Sequence, residues 1–402
     1  MPHTREVTPT QTAERVELLD AVRGLALLGI VSANMILYSL YLYLPETART
    51  AMGTYPSDRV LDFVELFLIE GKFYTIFSAL FGVGFSVLLS RTRSKGLAFH
   101  RFYLRRVAIL YVIGLAHAVL FWHDDILQAY AVCGALLVPF VAARDRTVLT
   151  AAVLALLAPM AVKLAGGMPV GVFTDIQDAL FRRFGFTRDT LIDTWTRGSV
   201  GDIVRLNLAK VFSQASFLLK SGMIFRIYGC FLLGFWIGRH ELYDKLEPGR
   251  PILRRLAIFG LALGLPLNAV YAATFDSGSW LEMVSGTFGV LPLSCGYVAC
   301  FCLIWLERGG RDRLRHFAPV GRMALTNYVG QSVICTLLFY GTGLGLGGTM
   351  GPTLYLPIGF AVYAVQVVTS RLWLQRFRYG PLEWIWRMLT YGEWLPLAKP
   401  VA

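Results

Sequence analysis

The chain has 402 residues, 55% of them hydrophobic and only 16% charged, with a net charge of +12. A soluble domain is nearer 45–50% apolar and about 25% charged, so the composition excludes a string of soluble domains and predicts an all-α polytopic integral membrane protein. The excess positive charge falls in the breaks between apolar stretches, as membrane topology requires, so membrane lipids are expected as partners and nucleic acid is not.

Residues 1–17 are polar, and the apolar stretch after them is too long for the core of a cleavable signal. Ten spans of about 20 residues follow: 22–43, 63–89, 103–122, 126–143, 147–166, 219–238, 253–274, 283–306, 322–342 and 353–373. Alternate short loops, those after the second, fourth, sixth, eighth and tenth spans, hold 22 Lys and Arg residues, from Arg91 to Arg387. The opposite short loops hold only Arg49 and Arg59. This bias predicts cytoplasmic basic loops and two cytoplasmic termini, in a bacterial cytoplasmic (inner) membrane. The chain then reads as a single membrane domain. Its one long break, 167–218, falls outside the cell interior, and residues 175–197 alternate charged and apolar residues in the manner of an amphipathic interfacial helix or a lid. The six cysteines lie in apolar segments without a CxxC pair or nearby histidines, so they read as small buried hydrophobes, and no metal site is expected.

Ionisable groups within a span are costly and mark candidate sites. Lys72 with Glu70 and Glu65, His117 and Arg226 stand out; Asn34, Gln128, Asn327 and Gln331 are their uncharged companions. Counted at a rise of about 1.5 Å per residue, Asn34, Lys72, His117 and Arg226 lie about 8–13 Å below the outer ends of their spans, in one layer. Taken singly each has a structural reading: Lys72 paired with Glu70 or Glu65, His117 bridging helices, Arg226 reaching the interface, and the amides acting as packing glue. Asp124 and Asp125 form the rim above His117. Asp125 is expected to reach His117 through a water rather than directly. GxSxG, GxxxxGK[ST], HExxH and CxxC are all absent. The segment GRMALTNYVGQ, 321–331, is too polar to open a plain spanning helix.

Five ordered stretches carry a family resemblance: RVELLDAVRGLALLGIVSAN from Arg15, IEGKFYTIFSALFGVGF from Ile69, RRVAILYVIGLAHAVLFWHDDILQAY from Arg105, PVGRMALTNYVGQSVICTLLFY from Pro319 and RYGPLEWIWRMLTY from Arg378. In this order and spacing they resemble the YeiB-like family of bacterial membrane proteins, which hold the domain of unknown function 418. The opening Asp20–Ile30 is distantly similar to the transmembrane acyltransferase superfamily, which includes heparan-alpha-glucosaminide N-acetyltransferases and bacterial polysaccharide O-acetyltransferases. That resemblance implies an acyl group passed from cytoplasmic acyl-CoA, most simply acetyl-CoA, to a small-molecule or glycan acceptor across the membrane. It implies Arg23 at the donor entrance and Asn34 near the reaction centre. The lysosomal enzymes carry a catalytic histidine shortly after that asparagine, and residues 35–62 contain none.

The leading expectation is therefore an acyltransferase. His117 acts as base, oriented by Asp125; Asn34 or Lys72 stabilises the oxyanion; Arg23, Arg105 and Arg106 hold the donor phosphates. Arg226, Glu70, Gln128, Asn327 and Gln331 line the acceptor side. A transporter or exporter of a small anionic metabolite, using Lys72 and Arg226 for the anion, is the alternative, and a structural or regulatory membrane protein is the third. The oligomeric state is left open, with a homodimer among the options.

Overall fold

A computed structural model describes residues 17–94 and 98–400; Arg15 of the first motif and Lys95 of a basic loop lie outside them. In chain order the helices are α1 (Glu17–Tyr38), α2 (Glu46–Thr50), α3 (Tyr55–Leu68), α4 (Lys72–Ser94), α5 (Phe99–Leu120), α6 (Leu127–Ala135), α7 (Asp145–Leu164), α8 (Gly171–Phe184) and α9 (Leu191–Arg197). They continue with α10 (Val200–Lys220), α11 (Met223–Arg239), α12 (Arg250–Ala273), α13 (Trp280–Trp305), α14 (Gly310–Leu314), α15 (Ala318–Arg322), α16 (Ala324–Phe339), α17 (Pro352–Arg376) and α18 (Pro381–Tyr391). Among the described residues there is no strand, so the chain is an all-α polytopic membrane protein.

Among the described residues seven helical stretches are long and apolar enough to cross a membrane, and the count reaches eight if the pair α10–α11, bent by 67°, is one span. The other two predicted spans are shorter helices: 126–143 holds the nine residues of α6 and a 3-10 turn, and 322–342 holds the 16 residues of α16. The outer surface of the bundle is apolar, with Val112, Leu154, Ile258, Phe259 and Leu372 exposed. This inside-out distribution suits lipid rather than water. The six cysteines are free, and four are buried; Cys295 is exposed on that apolar surface and Cys300 is half-buried, a departure from the sequence expectation.

Two features fix the inner frame. First, α4 and α11 pack backbone to backbone, because a Cβ at Gly82 would strike the Phe231 carbonyl and one at Gly234 would strike the Ala79 carbonyl. Small residues at a helix contact are what close approach in a membrane needs. Second, the predicted span 63–89 is broken. Gly71, at φ +85°, ends α3 and starts α4 in a backbone conformation that favours glycine. The Lys72 ammonium then donates to the Leu66 carbonyl at 2.7 Å, a cation on the open C-terminal end of α3. The predicted amphipathic helix over 175–197 is likewise two helices, because Gly185, at φ +75°, terminates α8. The rest of the 167–218 segment, α10, packs against α5 and α8.

Candidate functional site

His117 lies near the end of α5, where the Phe121 and Trp122 N–H groups both donate to its carbonyl and stop the helix. The chain turns back at once, and Asp125 drops beside the imidazole. Nδ1 of His117 and Oδ1 of Asp125 are 2.9 Å apart, and both side chains are almost wholly buried. The expected water bridge is thus replaced by a direct bond. Gly114, one turn before His117, makes room: a Cβ there would lie 2.8 Å from Oδ2 of Asp125. Oδ2 accepts from the Gln128 N–H at 3.2 Å, so the same carboxyl steadies the start of α6. A carboxylate only accepts, so Nδ1 carries the hydrogen. Nε2 of His117 is buried without a hydrogen-bond partner.

Around this pair stand groups that sequence reasoning does not single out. Tyr328 of α16 has its ring 5.5 Å from the imidazole, and its hydroxyl accepts from the Ile126 N–H at 3.3 Å. Tyr38 of α1 packs on Trp122 at 4.3 Å and shares a 2.7 Å hydrogen bond with Ser332. Asn34, half-buried one turn earlier on α1, interacts with the Tyr38 hydroxyl. Tyr328 belongs to a family motif and Tyr38 to the first predicted span, but aromatic residues in an apolar helix give no signal of their own.

A cap covers this end. Trp195 of α9 stacks on His123 with centroids 5.2 Å apart and packs at a tilt against Tyr43 at 4.9 Å. Its indole N–H donates to Asn207 of α10, whose amide donates in turn to the Val119 and Phe121 carbonyls. Burial pushes the His123 imidazole down to about 4, against the pull of the Asp124 carboxyl 3.2 Å away.

Lys72, Glu70 and Arg226 form a second cluster. Arg226 donates to the Tyr74 hydroxyl at 2.9 Å, and the Lys72 ammonium lies 5.6 Å over the Tyr271 ring. Glu70 is within electrostatic reach of both cations. The partners of Lys72 come from α3, α12 and α13, whereas those of His117 come from the turn before α6 and from α16. The groups expected at one depth thus form two clusters with separate partners.

The amides of α16 hold helices together. Asn327 donates to the Val320 carbonyl and to Ser370, and Gln331 donates to Gln366 of α17 at 3.0 Å. The Gln128 side chain is half-buried, and its backbone N–H is what bonds Asp125. At the basic end, Arg23 pairs with Asp20 at 2.5 Å beside α15. Arg106 lies 3.6 Å over the Trp386 ring of α18, with exposed Arg105 next to Gly392. Among the described residues no group of three His, Cys, Asp or Glu is arranged to hold a metal.

The chain is 33% identical to "Uncharacterized protein YxaH" of Bacillus subtilis (strain 168), a match covering 97% of this chain and 98% of that one. It is 29% identical to "Uncharacterized protein YeiB" of Escherichia coli (strain K12), over 94% of this chain and 96% of the relative. The chain belongs to the YeiB-like family. The family model described as "Protein of unknown function (DUF418)" matches residues 237–393, from the end of α11 past α18. In this YeiB-like chain His117, Asp125 and Lys72 lie before that range, within the part covered by the full-length relatives. No solved structure matches the chain.

Proposed function

We propose that this YeiB-like protein is a transmembrane acyltransferase of the bacterial cytoplasmic membrane, with its basic end and both termini in the cytoplasm. The observation that supports it most is the His117–Asp125 pair: Nδ1 is held by a buried carboxylate, and Nε2 is buried with no partner. That is how an imidazole is set up as a general base. Nε2 takes the proton of an acceptor hydroxyl or amine as its oxygen or nitrogen attacks the thioester carbonyl of acyl-CoA. The oxyanion of the tetrahedral intermediate is stabilised by the Asn34 amide. Collapse breaks the carbon–sulfur bond, and the leaving thiolate takes the proton from the imidazolium, which Asp125 stabilises meanwhile. Arg23, Arg105 and Arg106 hold the donor phosphates at the basic end, where guanidinium groups suit phosphate. The acceptor is a small molecule or a glycan on the opposite side.

The test is transfer from radiolabelled acetyl-CoA in proteoliposomes, beside coenzyme A binding. His117→Ala should lower turnover about 10²–10⁴-fold and leave coenzyme A binding nearly intact. Wild-type protein that binds no coenzyme A, or a His117→Ala variant that turns over at the wild-type rate, would end this reading.

A second reading, a transporter of a small anionic metabolite, is favoured by one feature. Two helical stretches are broken, at Gly71 and at Gly222, and the breaks are flanked by Lys72 and Arg226. Broken helices with charges at the break are a transporter device. Anion flux without coenzyme A would support it.

A further inference from the structure

The face that α3 turns inward is the wrong one for an ordinary amphipathic helix. Asp58, Asp62 and Glu65 fall at i, i+4 and i+7, one stripe of the helix. Asp58 and Glu65 are buried and Asp62 half-buried, while Val60, Phe63 and Val64 are exposed. Asp58 is explained: it accepts from Thr54 and from the Thr353 N–H, and so anchors the start of α17. Asp62 and Glu65 are not. One oxygen of each, Asp62 Oδ1 and Glu65 Oε2, is buried with no hydrogen-bond partner. The Tyr355 hydroxyl of α17 is wholly buried and within hydrogen-bonding reach of both carboxyls, without a well-formed bond to either. Just beyond Glu65 the helix ends, with the Ile69 and Glu70 N–H groups both donating to the Glu65 carbonyl; the Glu70 carboxyl is within electrostatic reach of Glu65 and faces Lys72 and Arg226.

We infer that Asp62, Glu65 and Tyr355 form a proton relay running along α3 from its Asp58 end toward the Glu70–Lys72–Arg226 cluster. Three orphaned oxygens on two facing helices are groups that exchange a proton among themselves or with a bridging water. Tyr355 takes a proton on its oxygen from one carboxyl and gives its own to the other, so the phenol is unchanged. The groups that tune the line are Tyr41, Arg49 and Asp58 at its outer end and Tyr74, Tyr271, Lys72 and Arg226 at its inner end. The relay does not rest on the acyltransferase reading, and Asp62, Glu65 and Tyr355 have no part in it.

The test uses the full-length protein. Dicyclohexylcarbodiimide reacts with a carboxyl that keeps its proton in apolar surroundings: the carboxyl oxygen bonds to the central carbon, the proton moves to nitrogen, and nothing leaves. Peptide mass mapping after treatment near pH 7 should place the adduct on Glu65 and lose it in Glu65→Gln. Pyranine-loaded proteoliposomes, driven by a potassium gradient with valinomycin, should take up protons faster than protein-free liposomes. Glu65→Gln should return uptake to the protein-free rate, and Tyr355→Phe should reduce it. The melting temperature of each variant verifies folding. Wild-type uptake no faster than protein-free liposomes, or uptake unchanged in folded Glu65→Gln, would overturn the relay, even if Glu65 takes the label.

Discussion

The two polar clusters sit near the same end of the bundle, yet their side chains are satisfied in opposite ways. At His117 the donor and acceptor bonds are complete on one side of the ring, to Asp125, and missing on the other, at Nε2. At Lys72 the charge is spent on structure: the ammonium holds the Leu66 carbonyl at the end of α3, and the adjacent Arg226 holds Tyr74. A buried group with one bond fixed and one position open is positioned for chemistry. A buried cation on a helix end does a structural job first. Groups at one depth thus differ in what their hydrogen bonds leave open.

The contrast is broken most severely at Asp125. A water-bridged carboxyl, as expected from sequence, would make Asp125→Asn the milder change. The direct bond reverses that. The Gln128 N–H needs an acceptor oxygen at position 125, so an amide there turns its NH₂ toward Nδ1 of His117. That forces the ring hydrogen onto Nε2 and removes the base. Acyl transfer in Asp125→Asn should therefore fall about 10²–10⁴-fold, close to His117→Ala. A loss of less than a few-fold in the same proteoliposome assay would mean that Nε2 does not act as the base.

Lys72→Met sharpens the other half. The Leu66 carbonyl loses its donor and Glu70 loses a nearby cation. Stability should drop by about 1–3 kcal/mol, the cost of a buried group left unpaired, read as a lower melting temperature in detergent. Turnover of the folded fraction should stay within about tenfold of wild type, far from the His117→Ala loss. Equal losses in Lys72→Met and His117→Ala would merge the two clusters into one site.

Much of this architecture is legible in the amino-acid sequence. Apolar runs and basic loops give the all-α membrane fold because lipid leaves few other ways to satisfy a backbone. His117, Asp125, Lys72 and Arg226 stand out because charge in an apolar helix is conspicuous. What the sequence hides depends on contacts between distant segments. Gly71 reads as one small residue in a long apolar run, and only its positive φ shows the break that sets Lys72 on α3. Gly114 shows no sign that its missing Cβ admits Asp125. Asn327 and Gln331 read as site residues, and only the structure shows that their NH₂ groups bond Ser370 and Gln366 of the next long helix while the Gln331 carbonyl oxygen is buried without a partner. Tyr328 and Trp195 are silent, since an aromatic ring, whether in an apolar helix or on an amphipathic one, signals burial alone.

The smallest expected effect concerns the cap over the His117 end, which has no counterpart at Lys72. His123 is buried beneath Trp195 and held near a pKa of about 4 by that burial. In the unfolded chain a histidine titrates near about 6.5. Between these values the unfolded state binds more protons than the folded one, so stability is full above about pH 6.5 and falls as the pH drops toward 4. At pH 5.5 the loss from this residue should be about 1 kcal/mol. Melting curves followed by tryptophan fluorescence at pH 7.5 and 5.5 should show it, and His123→Gln, which keeps a polar group but cannot take the charge, should remove this part of the acid sensitivity. A variant as acid-sensitive as the wild type would show that protonation elsewhere, not under Trp195, loosens this end of the bundle.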